Sequence, residues 1–173
     1  MDQAKMLANK EPLHSKQASL RRAVSTAYYA IFHLMMEDAA NALAPPLPQG
    51  LRSEIKRSFA HSQIKTACKE FLEANTIKSK NIAGKTKLPA ALEALIAFPL
   101  DINLVTVLDA FIALQEARHE ADYNLSYQWI RLDVLANLNL AEQAFSAWPV
   151  VRGTPNAAVF ISNLAFRKEW RNS

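Results

Sequence analysis

Apolar residues recur at helical spacing along most of this chain, and no segment shows the sustained alternation of apolar and polar residues that is typical of a strand. Proline and glycine divide the helical pattern into blocks. The predicted helices cover about residues 2–9, 15–43, 51–74, a short stretch after Pro89, 102–123, 127–147 and 155–170. We therefore expect an all-α fold, an up-and-down bundle of five to six helices.

Local signals predict where several of these helices begin and end. Asp101 and Ser126 are predicted N-caps, because their side chains can accept a hydrogen bond from a free amide of the first turn. Pro149 is predicted to end the helix that Ser126 begins, since proline has no amide hydrogen. Residues 45–50 are predicted to break the chain, and residues 75–88 are predicted to form a loop.

A chain of 173 residues is predicted to form one domain. The helical bundle is expected to occupy residues 1–150, and residues 151–173 are expected to add a C-terminal helix docked on the same domain. Thr154 and Pro155 mark the start of that helix, as an N-cap followed by a proline at the first helical position.

The second predicted helix carries large or specific side chains on two opposite faces, and charge is scarce between Arg22 and Glu37. One face holds Leu20, Val24, Ala27, Ile31 and Leu34. The opposite face holds Arg22, Ser25, Tyr29, His33 and Met36. Such a helix is either central to its fold or packs a core on one side and a partner subunit on the other. Tyr29 and His33 therefore have two interpretations, a buried hydrogen-bonded pair or part of a pocket or dimer interface.

Composition excludes several classes of function. The chain has 29 alanines and only 3 glycines, which favours helices and excludes motifs built on clustered glycines, such as phosphate-binding loops and dinucleotide fingerprints. Its one cysteine, Cys68, excludes an intramolecular disulfide and a multi-cysteine zinc site. No metal site and no cofactor are predicted. A polar N-terminus, the single cysteine and the lack of a long apolar run predict a cytoplasmic protein without a membrane segment.

Positive charge is concentrated in the first half of the chain. The net charge is +4, yet residues 52–87 alone hold nine Lys and Arg against three acidic residues. This segment is open to two interpretations, a contact surface for a polyanion such as RNA or a solvated lysine-rich face. Arg22 and Lys65 are candidate phosphate contacts in this half.

Arg118 and Asp122 lie one turn apart near the end of the helix predicted over 102–123, on the continuation of an apolar stripe that begins at Leu104. One interpretation is an i,i+4 ion pair that contributes a few tenths of a kcal/mol. The other is an arginine at the edge of the core, whose planar guanidinium holds a phosphate while Asp122 fixes its orientation.

Two segments resemble the HEPN family, whose members are prokaryotic and eukaryotic helical proteins. Residues 22–33, with the core Ala-Tyr-Tyr-Ala-x-Phe-His, resemble the signature helix of that family. Residues 118–123 resemble the Arg-x-x-Ala-Asp-Tyr ending of one bacterial branch. His61 and Ser62 stand between them, where that branch often has a His-Ser pair. The resemblance covers about residues 15–125.

The resemblance implies a bundle of four or five helices that usually dimerises. Many members of the family are metal-independent ribonucleases, often toxins paired with a nucleotidyltransferase or another antitoxin. Their mark is an arginine followed, after four to six residues, by a histidine at the dimer cleft. Carried over, Arg118 is the arginine, but Tyr123 stands at the first possible histidine position and Leu125 at the last. The chain thus keeps the arginine and lacks the histidine.

Cleavage of RNA by its own 2′-hydroxyl needs a base, an acid and a cation on the phosphate. A tyrosine is a poor base at neutral pH, so His33 or His61 would have to supply that role. The resulting hypothesis is a composite site with candidate catalytic residues Arg118, Asp122, Tyr123 and His33. The candidate phosphate contacts are Arg22, Tyr29, Arg118 and Lys65.

Three functions stay open at this stage. The first is an RNA-directed or nucleotide-binding protein that acts as a toxin-type, metal-independent ribonuclease component. The second is a non-catalytic dimerisation or interaction module that binds a nucleotidyltransferase-like antitoxin or another protein partner. The third is a helical homodimer of structural purpose. A homodimer is expected in all three, from the resemblance and from the two-faced second helix.

Overall fold

The structure, a computed structural model, describes residues 1–10, 16–43, 53 and 61–167, and these residues form helices and connecting turns only. The helices are α1 (Asp2–Asn9), α2 (Gln17–Leu43), α3 (His61–Ser79), α4 (Ala90–Glu93), α5 (Ile102–Tyr123), α6 (Arg131–Val151) and α7 (Pro155–Ala165). The predicted all-α bundle is confirmed. The described ranges hold seven helices rather than five or six, and one of them, α4, is only four residues long.

Some sequence predictions fall outside the described residues. These are the chain break at 45–50, most of the first part of the helix predicted over 51–74, and residues 168–173. In the part of the chain that the structure describes, no helix is both long enough and apolar enough to cross a membrane.

Contacts at the two ends of the long helices set their relative directions. α2 and α6 run parallel, since their first residues lie together and their last turns lie together. Gln17 bonds the backbone of Trp129 at the N-terminal ends, and Asp38 accepts a hydrogen bond from the Trp148 indole near the C-terminal ends. α5 runs antiparallel to both and is connected to α6 by residues 124–130. α1 packs on α2 and α6, while α3 packs on α5.

Most of the surface of α2 is buried in the core between α5, α6 and α1. The face that begins at Leu20 is buried as far as Ile31, and Ser25 and Met36 on the opposite face are buried as well. The exposed part of α2 is narrow and includes Arg22 and His33. The helix is therefore central to the fold, and its two specific faces reflect packing on two sides.

Two helix boundaries differ from the sequence prediction. α3 continues to Ser79, so residues 75–79 are helical rather than loop. The helix is held there by tertiary contact, since the Asn75 side chain accepts a hydrogen bond from the Leu100 amide at 2.8 Å. It ends where Asn81 adopts a left-handed conformation with φ of 50° and the Ile82 amide donates to the Ile77 carbonyl at 3.0 Å.

The start and end of α6 also differ from the prediction. α6 begins at Arg131, not near Ser126, because side chains of α2 hold residues 124–130 in a non-helical path. It continues through Pro149 to Val151 and closes with the Arg152 amide donating to the Trp148 carbonyl at 2.9 Å. The predicted caps of α5 and α7 are confirmed by the Asp101 and Thr154 side chains.

α7 packs against α3 through an aromatic contact and a buried ion pair. The rings of Phe71 and Phe160 meet edge to face with centroids 5.2 Å apart. Just after α7, one guanidinium nitrogen of Arg167 donates to both carboxylate oxygens of Glu70 at 2.8 Å, and both side chains are buried. These contacts join the last described helix to the bundle.

The left-handed conformation at Asn81 leads to a stability prediction. Asn81→Val is expected to lower the free energy of unfolding by about 1–2 kcal/mol, because a β-branched residue is strained at positive φ. Asn81→Gly is expected to leave the free energy unchanged or to raise it. Urea denaturation measures both, with Ala83→Val as the control at an exposed neighbour. A loss in Ala83→Val as large as in Asn81→Val would contradict the prediction.

Candidate functional site

The guanidinium of Arg118, near the end of α5, lies between two tyrosine rings. Its central carbon is 5.5 Å from the ring centroid of Tyr29 on α2 and 5.2 Å from that of Tyr123. Nη2 donates to the Tyr29 hydroxyl at 2.9 Å and to the Tyr123 hydroxyl at 3.4 Å. Cation–π attraction and hydrogen bonds together hold the guanidinium plane in one orientation.

Asp122 and Ser25 complete this group, which we call the Arg118 cluster (Arg118, Asp122, Tyr123, Tyr29 and Ser25). Nε of Arg118 lies 2.6 Å from one carboxylate oxygen of Asp122, and the buried Ser25 hydroxyl donates to the other. Burial lowers the pKa of Arg118, but Tyr29 and Asp122 outweigh burial and raise that pKa above its ordinary value. Arg118 is therefore a permanent cation. Its Nη1 has no hydrogen-bond partner among the described residues.

A surface pocket of about 390 Å³ adjoins the Arg118 cluster. Ser25 and Tyr29 belong to both the pocket and the cluster. The His33 ring stacks on Tyr29 with centroids 6.3 Å apart, and both His33 and Arg22 are exposed. The pocket is lined by Met1, Gln3, Arg22, Ser25, Thr26, Tyr29, Ala30 and His33.

The structure thus brings together most of the residues that the sequence analysis selected. Arg118, Asp122, Tyr123 and Tyr29 are in direct contact, and His33 joins them through Tyr29. The buried-pair interpretation of Tyr29 and His33 is wrong, because Tyr29 is only partly buried and His33 is exposed.

Two other candidates lie apart from this group or outside the described side chains. Lys65 on α3 pairs with Glu116 at 2.9 Å, and this contact lowers the pKa of Glu116. Glu116 is two residues from Arg118, which places it on nearly the opposite face of α5. The helix α3 begins at His61, but the side chains of His61 and Ser62 are outside the described part.

Arg21 is a residue of this region that the sequence analysis did not select. Its guanidinium donates to five backbone carbonyls at the end of α5 and in the loop beyond it. The last carbonyls of a helix have no partner within the helix, so Arg21 supplies the donors that the end of α5 needs. Nothing in the local sequence distinguishes Arg21 from the adjacent Arg22, so the sequence gives no signal for this role. The accepting residues are Glu120, Ala121, Asn124, Leu125 and Tyr127.

Comparison of the chain with protein-family models, with curated proteins and with solved structures found no match. Across the described ranges, no group of three or more histidine, cysteine, aspartate or glutamate side chains could hold a metal ion. What the Arg118 cluster and the pocket do offer is guanidinium, hydroxyl, amide and imidazole groups, a set that suits a phosphate or another anion.

Arg21 and its neighbour Arg22 form a matched pair of variants. Arg21→Ala is expected to lower the free energy of unfolding by about 2 kcal/mol, because the carbonyls at the end of α5 lose a charged donor. Arg22→Ala is expected to change the free energy by less than about 0.5 kcal/mol, since its side chain is exposed. Urea denaturation measures both values. Equal losses in the two variants would contradict an anchoring role for Arg21.

Proposed function

We propose that this chain is an HEPN-like, RNA-directed protein that holds an RNA phosphate at the Arg118 cluster. The observation that carries the proposal is the guanidinium of Arg118, oriented by two tyrosines and one aspartate and left with Nη1 unpartnered in the described part. A planar donor held in this way binds phosphate oxygens with little further loss of conformational freedom.

The neighbouring pocket supports RNA over a simple anion. Arg22 is exposed, and its guanidinium has no ion-pair or hydrogen-bond partner among the described residues, so it can attract a second phosphate. The stacked rings of Tyr29 and His33 offer an aromatic surface of the kind on which bases of single strands stack. The resemblance of residues 22–33 and 118–123 to HEPN segments points the same way.

Metal-independent cleavage is part of the proposal, with roles that follow from the contacts. Arg118 would stabilise the charge on the phosphate, and Asp122 would position Arg118. His33 is the candidate base, because it is exposed beside the pocket and stacks on Tyr29. Tyr123, which stands where the family motif has histidine, would donate a hydrogen bond.

The test uses purified protein and a mixed single-stranded RNA, with EDTA present throughout. Arg118→Ala is expected to weaken RNA binding about tenfold and to lower the slope of log affinity against log salt by about 0.7, the value of one single-strand phosphate contact. Any cleavage by the wild type is expected to disappear in Arg118→Ala and in His33→Ala. Circular dichroism checks that each variant is folded.

Arg152→Ala is the matched control for Arg118→Ala. Arg152 is also an arginine in an ion pair, with Asp38 at 3.3 Å, but it lies beyond the far end of α6. Its replacement is expected to leave RNA binding unchanged. RNA binding by the wild type that is absent or insensitive to salt would refute the proposal. An equal effect of Arg118→Ala and Arg152→Ala would refute the assignment of the site.

A second candidate function, a homodimerisation or interaction module, is favoured by a separate observation. Five large apolar side chains between 123 and 132 are exposed, among them Leu125 at 79% and Leu132 at 72%. Large apolar side chains that are exposed together within one short segment are typical of protein interfaces. We call them the 123–132 apolar surface: Tyr123, Leu125, Tyr127, Ile130 and Leu132.

Sedimentation at micromolar concentration tests the second candidate. The wild type is expected to sediment as a dimer, and Leu125→Asp with Leu132→Asp is expected to sediment as a monomer, because burying two charges in an apolar interface is costly. Leu95→Asp is the control, since Leu95 is 58% exposed but lies outside the 123–132 apolar surface. A wild type that sediments as a monomer would contradict the homodimer.

A further inference from the structure

A second cavity, of about 670 Å³, lies near the N-terminal end of α5 and is not part of the Arg118 cluster. It is formed between the end of α3, the loop that follows, α4 and the segment before α5. Arg118 lies 16 residues after Ile102, the first residue of α5, which places it about 24 Å along the helix axis from the end of α5 near the cavity. The lining residues are Lys78, Gly84, Lys85, Thr86, Leu88, Ala90, Glu93, Ala94, Ile96 and Phe98.

Polar contacts hold the walls of this cavity in place. Glu93 on α4 forms an ion pair with Lys78 on α3 and accepts a hydrogen bond from the Thr86 hydroxyl. The hydrogen bond from Lys78, followed by that from Thr86, lowers the pKa of Glu93, so the carboxylate that joins the two walls stays ionised. Lys87 pairs with Glu73 at 2.8 Å and ties the loop to α3 a second time. The cavity is therefore built by the fold before any ligand arrives.

The floor and the rim of the cavity have different chemistry. Leu88 and Ile96 are buried and Phe98 is partly buried, so the floor is apolar with one aromatic ring. At the rim, the charge of Lys78 is neutralised by Glu93. Lys85 is exposed and has no ion-pair partner in the described part of the chain. The cavity thus combines an apolar floor with one uncompensated cation.

We propose that this cavity binds a small amphipathic acid, with an aromatic or branched aliphatic body and a single anionic group. The body lies on the floor formed by Leu88, Ile96 and Phe98, and the anion pairs with Lys85. A volume of about 670 Å³ lies within the range of ligand pockets, which are mostly apolar with a few polar groups that set orientation. This proposal does not depend on the proposed RNA-directed function.

A pair of fluorescent probes tests the two parts of the proposal. 1-Anilinonaphthalene-8-sulfonate carries an aromatic body and a sulfonate, and N-phenyl-1-naphthylamine has the same body without the charge. The wild type is expected to bind the sulfonate saturably at one site. Lys85→Gln is expected to weaken binding of the sulfonate about fivefold and to leave binding of the neutral amine unchanged. Lys80→Gln is the charge-matched control on the same loop and is expected to change neither.

Gly84 provides a variant that occupies the cavity. Gly84 lines the cavity, and a Cβ added there meets no atom within 4 Å, so Gly84→Phe is suited to placing a ring at the mouth of the cavity. Gly84→Phe is expected to abolish the binding of both probes. Gly153→Phe is the control, because Gly153 is equally open and does not line the cavity.

Three results would overturn the proposal. They are the absence of saturable sulfonate binding by the wild type, unchanged binding in Gly84→Phe, and an equal loss in Lys85→Gln and Lys80→Gln. If Gly84→Phe does not fold, NMR chemical shifts of the backbone amides of the wild type locate the binding site of the sulfonate. Shifts on titration with the sulfonate that cluster at residues 78–98 support the cavity, and shifts confined to other residues exclude it.

Discussion

The binding of Arg21 to the carbonyls at the end of α5 is the contact on which the candidate site depends. The last carbonyls of a helix have no partner within the helix, and Arg21 supplies donors for those of α5 from α2. This contact also sets the register between the two antiparallel helices. Tyr29 lies about two turns after Arg21 on α2, and that register places its ring against Arg118. The loop beyond α5 is held by the same side chain, so the site and the apolar surface next to it share one anchor.

Local signals in the sequence were enough to predict the features of the fold that depend on neighbouring residues. The cap at Asp101 and the buried stripe that begins at Leu104 need only the residues of one helix turn or one helix face. The start of α6 could not be predicted in this way, because Gln17 holds Trp129 from 112 positions away. Tyr29 and Arg118 are 89 positions apart, so local signals could not predict their contact either. Only the family resemblance suggested that the two residues belong to one site.

The number of lysines in a segment overstates how strongly that segment attracts an anion in the folded chain. Much of the lysine excess between residues 61 and 87 is compensated in the folded chain, since Lys65 and Lys69 both contact Glu116. Lys78 and Lys87 pair with glutamates as well. A sequence count includes each of these lysines in full, whereas only an uncompensated cation attracts a distant anion. In the described part, the cation placed to do so beside the candidate site is Arg22, which lies outside the lysine-rich segment.

Asp122 limits the kind of recognition that Arg118 can perform. With a carboxylate oxygen 2.6 Å from Nε, the pair is close to neutral when seen from a distance. In the proposed function, Arg118 would therefore contribute little to the long-range attraction of RNA. At contact the same pairing is an advantage, because it holds the guanidinium in a fixed orientation between the rings of Tyr29 and Tyr123. In the proposed function, a phosphate at this position would be recognised by its geometry, and Arg22 would supply the long-range attraction. The proposed phosphate binding needs no histidine at position 123, whereas the proposed cleavage needs a base such as His33. The two proposed activities therefore depend on different groups.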